Sequence, residues 1–214
     1  MTPSSTVLDS EATQRLLLQN VSWDTYRNLL RDLGDHRSVR LSYDRGILEL
    51  MSPSFAHENL NRVLNYLVVA LARRFKPDFV SAGSTTFARE GTSGVEPASS
   101  FYFENAARIR GKKTIDLATD PPPELVIEVD ITSPSLRRFS IYAALGVAEI
   151  WRYDGSTLDI WHLQPEGRYL QQPQSLSFPV LSEIEATQLL QQAAILPEPQ
   201  LLDLFDTWAR ERSK

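Results

Sequence analysis

The 214-residue chain has no cysteine, which rules out disulfides, zinc–thiolate centres and thiol nucleophiles. Long apolar runs are also missing. The longest, Tyr66-Leu67-Val68-Val69-Ala70-Leu71-Ala72, is far too short to span a bilayer, so no membrane association is expected. Its nine glycines are scattered, and Gly91 and Gly94 do not make a phosphate-cradling loop. Positive charge is not in excess. The formal net charge of −5 argues against a protein that coats nucleic acid non-specifically, though it leaves room for a local basic groove. Met1 to Glu11 is polar, with no basic stretch leading into an apolar one, so no signal peptide is visible and a reducing cytoplasm is the expected location.

What is present is ordinary for a globular protein: 42% hydrophobic and 23% charged residues. A Ser/Thr-rich tail, residues 1–13, precedes one expected α/β domain, residues 14–214. Ser22 caps a short helix from Asp24 to Leu33. Arg40 to Tyr43 and Ile47 to Met51 alternate around Asp44-Arg45-Gly46 and read as a hairpin. Ser52-Pro53-Ser54 opens a long helix to Phe75, with Leu60, Val63, Leu64, Leu67, Val68 and Leu71 at helical spacing. Phe79 to Ala82, Thr85 to Ala88 and Phe101 to Phe103 read as strands, and Gly91 to Ser99 as a loop. Asn105 to Pro123 is an irregular or partly helical insert. A helix from about Ser135 to Leu145 ends at Gly146. Glu149 to Tyr153 and Thr157 to Leu163 form a second hairpin, and Glu183 to Ala194 and Leu201 to Arg212 are amphipathic helices.

The run Leu125-Val126-Ile127-Glu128-Val129-Asp130 stands out. It reads as a buried strand that carries two carboxylates. Period-2 alternation puts Glu128 and Asp130 on one face with Val126, roughly 6.6–6.8 Å apart along the strand. Buried charge is costly unless paired, so such acids either coordinate a cation or meet basic groups. Arg138 follows on the next helix, four residues before Tyr142 and on the same face. Two acids beside a basic group are what metal-assisted phosphodiester cleavage requires. The plainer reading stays open at this point: Asp130 capping the turn through Ile131 to Pro134, and Arg138 on the surface.

Other polar groups have similarly plain explanations. Glu58, after His57, complements a helix dipole, and Arg73, Arg74 and Lys76 do the same at the opposite end. Arg108, Arg110, Lys112 and Lys113 make either a phosphate-gripping run or a solvated loop. His36 and His162 are isolated. The four tryptophans read as core or interface anchors.

Several segments, taken in order, resemble one family. They are Tyr43-Asp44-Arg45-Gly46-Ile47-Leu48-Glu49, Met51-Ser52-Pro53-Ser54, His57-Glu58, Gly94-Val95-Glu96-Pro97, Pro122 to Asp130, Ser133-Pro134-Ser135, and Ile141 to Tyr153. Over roughly Ser22 to Leu163 the chain resembles the bacterial restriction-endonuclease-like family within the PD-(D/E)XK nuclease superfamily. The resemblance implies a mixed central β-sheet flanked by helices, a Mg²⁺ cofactor and DNA as partner. It implies Glu128 as the strand carboxylate, Asp130 at the usual strand-lysine position and Arg138 at the position of a migrated lysine; in an active site Glu128 and Asp130 would then hold the metal, with His57, Glu58 and Tyr142 as auxiliary residues.

Two departures accompany the resemblance. Ala98 stands where the family pattern has Asp after Pro, and Arg138 where it has Lys. Ala98 ligates nothing, so Glu96 is the remaining candidate for a third metal ligand. Arginine stays protonated and can stabilise an anion but cannot act as a base. The expectation is a Mg²⁺-dependent DNA endonuclease with a partly degenerate site. The alternative is a non-catalytic binding or assembly module on the same fold. A homodimer is expected in either case, as two-fold dimers are the commonest oligomers.

Overall fold

The structure is a computed structural model that describes residues 13–34, 38–131 and 136–213. The expected tail up to residue 12, His36 and the turn through Ser133-Pro134-Ser135 lie outside the described residues. In chain order the elements are β1 (Gln14–Leu18), α1 (Trp23–Leu33), β2 (Arg40–Asp44), β3 (Ile47–Ser52), α2 (Phe55–Phe75), β4 (Val80–Ser81), β5 (Phe87–Arg89), β6 (Ser93–Val95) and β7 (Ser99–Tyr102). They continue with α3 (Ala106–Ile109), β8 (Leu125–Val129), α4 (Leu136–Leu145), β9 (Glu149–Tyr153), β10 (Leu158–Leu163), β11 (Tyr169–Gln171), α5 (Glu183–Ala193) and α6 (Glu198–Glu211).

The strands form two sheets. One runs β1-β3-β2-β6-β5; the other, central sheet runs β11-β10-β9-β8-β7-β4. The central sheet is mixed, because β8 and β9 pair in parallel while its other pairs are antiparallel. A parallel pair needs a crossover, and α4 supplies it. Leu125, Ile127 and Val129 face a core built with Leu64, Leu67 and Leu71 of α2 and Leu189 and Phe205 of α5 and α6. On the opposite face, Val126 and Ile150 pack with Ile141 and Tyr142 of α4, and Phe87 and Val95 of the other sheet close that core. The result is a mixed central sheet with helices on both faces, and the second sheet lies beyond α4.

Local chemistry explains most elements. Ser54 caps α2 by accepting from the His57 N–H at 3.2 Å, and Ser182 with Glu185 makes a capping box on α5. Arg45 (φ 46°) and Gly46 (φ 94°) form the two-residue turn of the β2–β3 hairpin, where both central residues need positive φ. Three strands differ from the sequence expectation. Gln14–Leu18 has no alternation, and β1 forms by pairing with β3 in the register Leu16↔Leu50. Ser93–Val95, expected as loop, forms β6 because Tyr26 packs over Gly94. A Cβ there would come within 2.3 Å of the Tyr26 hydroxyl, so only glycine fits. Tyr169–Gln171, unassigned from the sequence, adds β11 at the sheet edge.

Candidate functional site

β8 carries the centre of the candidate site. Glu128 projects from it on the α4 side and is 1% exposed. Arg138, in the first turn of α4, donates from Nη1 to Glu128 Oε2 at 3.0 Å. Tyr142, one turn further, donates its hydroxyl to Glu128 Oε1. The four-residue spacing puts both donors on one helix face, over one carboxylate. Arg138 also donates from Nη2 to Glu49 Oε1 of β3 at 2.6 Å. One guanidinium therefore bridges carboxylates from the two sheets.

The network continues. Arg15 of β1 lies 3.6 Å from Glu49 Oε2 and 3.7 Å from Asp130 Oδ1. Arg152 of β9, the register partner of Glu128, donates from Nε to Asp130 Oδ2 at 2.7 Å and from Nη1 to Asp159 at 2.9 Å. Glu128 and Asp130 thus lie on the same side of the sheet, in a chain of alternating charge. Burial alone would draw the Arg138 pKa down, but Glu128 and Glu49 outweigh it and hold the pKa above its ordinary value. Burial, with Glu128 alongside, pushes the Tyr142 hydroxyl well up, so it remains a donor.

The other candidates are dispersed. Glu96 is 3% exposed and tied elsewhere: Oε2 accepts from the Leu41 N–H at 2.8 Å and Oε1 from the Thr86 hydroxyl at 2.5 Å. It clamps the start of β2. His57 is buried in the first turn of α2, with Nδ1 3.7 Å from Glu58 Oε1. Glu58 accepts from Arg40 Nη2 at 2.6 Å, and the adjacent His57, then Arg40, hold its carboxyl below the usual range. Ala98 is 2% exposed and packs in the core shared with α2. Its N–H bonds Ile127 O at 3.1 Å, one residue out of step with the Ser99↔Ile127 register, so it does not sit on the rim of a cleft. In the basic run, Arg110 pairs with Asp78 and Lys112 with Asp120.

This donor set does not suit a magnesium ion. Mg²⁺ takes carboxylate and water oxygens in near-octahedral geometry. Here Glu128, Glu49 and Asp130 are matched by Arg138, Arg15 and Arg152. Each oxygen of Glu128 already accepts a hydrogen bond. Among the described residues, no three His, Asp or Glu side chains come together to hold an ion.

A family model described as "Putative restriction endonuclease", the Uma2 family, matches residues 23–197. The chain belongs to the Uma2 family. The crystal structure of a protein from Anabaena variabilis, described as a "putative nuclease", superposes with a TM-score of 0.54 at 14% identity. The match covers 79% of this chain and 99% of that one, and it shows a shared fold. No curated protein matches the chain.

Within this Uma2 domain, Glu128, Asp130, Arg138 and Tyr142 come together, while Glu96, His57 and Glu58 lie apart from them. Sequence reasoning missed three participants: Glu49, Arg15 and Arg152. Glu49 carried a signal, as a lone acid in the alternating strand Ile47-Leu48-Glu49-Leu50-Met51. Arg152 carried one too, at a position two residues before Asp154 in a strand that is otherwise apolar or aromatic after Glu149. Arg15 carried none, because β1 itself was unreadable.

Proposed function

We propose that this Uma2 domain is a non-catalytic nuclease-fold module that binds DNA without cutting it. One observation supports the reading above all: the Arg138 guanidinium bridges Glu128 and Glu49, where a catalytic domain would have carboxylate oxygens open to a cation. Displacing it would strand buried carboxylates, which is costly. Ala98 adds no ligand. A cytoplasmic location suits a DNA-binding role, and no described helix is long and apolar enough to cross a membrane.

The second reading is a Mg²⁺-dependent endonuclease, which the family description favours. In it Glu128 and Asp130 would hold the ion, which would supply charge neutralisation at the phosphate, and Glu96 would join them only on leaving Leu41 and Thr86. Arg138 steadies the scissile phosphate. It requires Arg138 and Arg152 to leave their partners. The test is incubation of supercoiled plasmid with the protein and Mg²⁺ or Mn²⁺, beside Glu128→Gln and a chelator control. The expected result is DNA retarded in a gel but not nicked. Metal-dependent nicking that Glu128→Gln abolishes would establish the endonuclease instead.

A further inference from the structure

A cleft of about 860 Å³ opens beside the N-terminus of α2, walled by the start of β2, the 82–86 loop and the 113–115 loop. We infer that it is a phosphoryl-binding cleft, in which Arg40 and Lys113 take the anionic group and the hydroxyls of Ser38, Ser52, Ser84 and Thr114 take the remaining ester or sugar oxygens. This rests on the proposed binding role and names its surface.

Three features converge. Arg40 is mostly buried and lines the cleft. Its Nη2 holds Glu58, while among the described residues its Nη1 has no hydrogen-bond acceptor. Buried donors are rarely left unmatched, and a guanidinium fork suits phosphate oxygens. Burial lowers the Arg40 pKa against the pull of Glu58, so an arriving anion relieves a charge held in poor solvation. Lys113 is exposed on the facing loop, and among the described residues no salt bridge engages it, whereas its neighbour Lys112 pairs with Asp120. The 21-residue helix α2 directs its positive end here, through Pro53 and Glu58.

Two carboxylates line the cleft. Both oppose an anion: Glu96 accepts only from the neutral Leu41 N–H and Thr86 hydroxyl, and Glu58, about half exposed, is ion-paired with Arg40. The volume lies in the range of small-molecule sites, enough for a short nucleotide segment.

The experiment titrates inorganic phosphate, thymidine 5′-monophosphate and tetrathymidylate into the full chain in chelator, followed by calorimetry and amide NMR. Without metal, the result is independent of whether the protein cuts. All three probes should bind, the tetranucleotide most tightly if the ligand is a nucleic-acid strand, and phosphate as tightly as the others if it is a free anion. Lys113→Gln should weaken binding roughly 3- to 10-fold. It should also flatten the tetranucleotide's salt dependence by about 0.7 in slope. Glu58→Gln should tighten binding, and Lys112→Gln, with the same charge change, should leave it unaltered. Thermal melts confirm that each variant folds. No binding at 10 mM on the order of weak anion affinities, equal effects of Lys113→Gln and Lys112→Gln, or weaker binding by Glu58→Gln would each overturn the proposal.

Discussion

Replacing Arg138 with Met tests whether the guanidinium is the counter-ion that the buried carboxylates depend on. Met matches much of the aliphatic length and removes the charge. Glu128, 1% exposed, is then left with the Tyr142 hydroxyl alone. Removing one partner of a buried pair costs about 3–5 kcal/mol. Glu49, 16% exposed and still 3.6 Å from Arg15, adds no more than about 1 kcal/mol. At about 2–4 °C per kcal/mol for a chain of this size, the main loss lowers Tm by roughly 6–20 °C. Urea titrations followed by circular dichroism measure the free-energy loss, and thermal melts the Tm shift. The double variant Arg138→Met/Glu128→Gln should recover most of the loss, because no unpaired buried charge remains. Mg²⁺ should raise the Tm of Arg138→Met and leave that of the unaltered chain unchanged, since ligand that binds only the folded state stabilises it. A single variant within about 1 kcal/mol of the parent, or a double variant no better than the single, would refute the counter-ion argument.

Three further outcomes are expected. Ala98→Asp should lower stability by about 1–3 kcal/mol, because its carboxylate enters the apolar core shared with α2, and should not produce Mg²⁺-dependent cleavage; plasmid nicking by this variant would restore the endonuclease reading. Glu58, held down by His57 and Arg40, and Asp154, held down first by the Thr157 N–H, have folded-state pKa values below their ordinary 4.5 and 3.8. Their stabilisation is complete above those values and is lost as pH falls through the folded-state ones, so the urea midpoint should drop below about pH 4, less steeply in Glu58→Gln/Asp154→Asn. A homodimer is expected in solution, with β1 as the contact edge: Leu16, Leu17 and Leu18 are 54%, 39–40% exposed on an outer strand. Light scattering that gives a monomer at micromolar concentration would remove it.

How far the sequence could be read depended on how local each signal was. Glu128 was legible because alternation within five residues fixes its face. Arg138 and Tyr142 were legible because a helix brings positions four apart together over it. Both strand hairpins declared themselves through turn chemistry. The rest of the site joins residues far apart in sequence. Arg138 meets Glu49 across 89 positions, and no periodicity encodes that pairing. Glu96 shows the converse. Its place beside Pro97 suggested a metal ligand, yet its carboxylate is consumed by the Leu41 N–H, 55 positions away. β6 was missed for the same reason: Ser93-Gly94-Val95 has poor strand propensity, and the Tyr26 ring that requires Gly94 comes from α1.

The two departures from the family pattern fit together physically. A lysine at position 138 would bring one compact ammonium, able to neutralise one carboxylate well. Arg138 has a planar fork, and its two Nη atoms reach carboxylates on different sheets at 3.0 and 2.6 Å. With Arg15 and Arg152 it gives each of Glu128, Glu49 and Asp130 a cationic partner, while Arg152 also serves Asp159. An aspartate at position 98 would bury a carboxylate inside the apolar core shared with α2, on the face of β8 away from these arginines. Alanine there avoids that cost. The same features that weaken the case for catalysis therefore stabilise the junction of the two sheets. That junction holds β2, and with it Arg40, in place at the edge of the polar cleft beside α2.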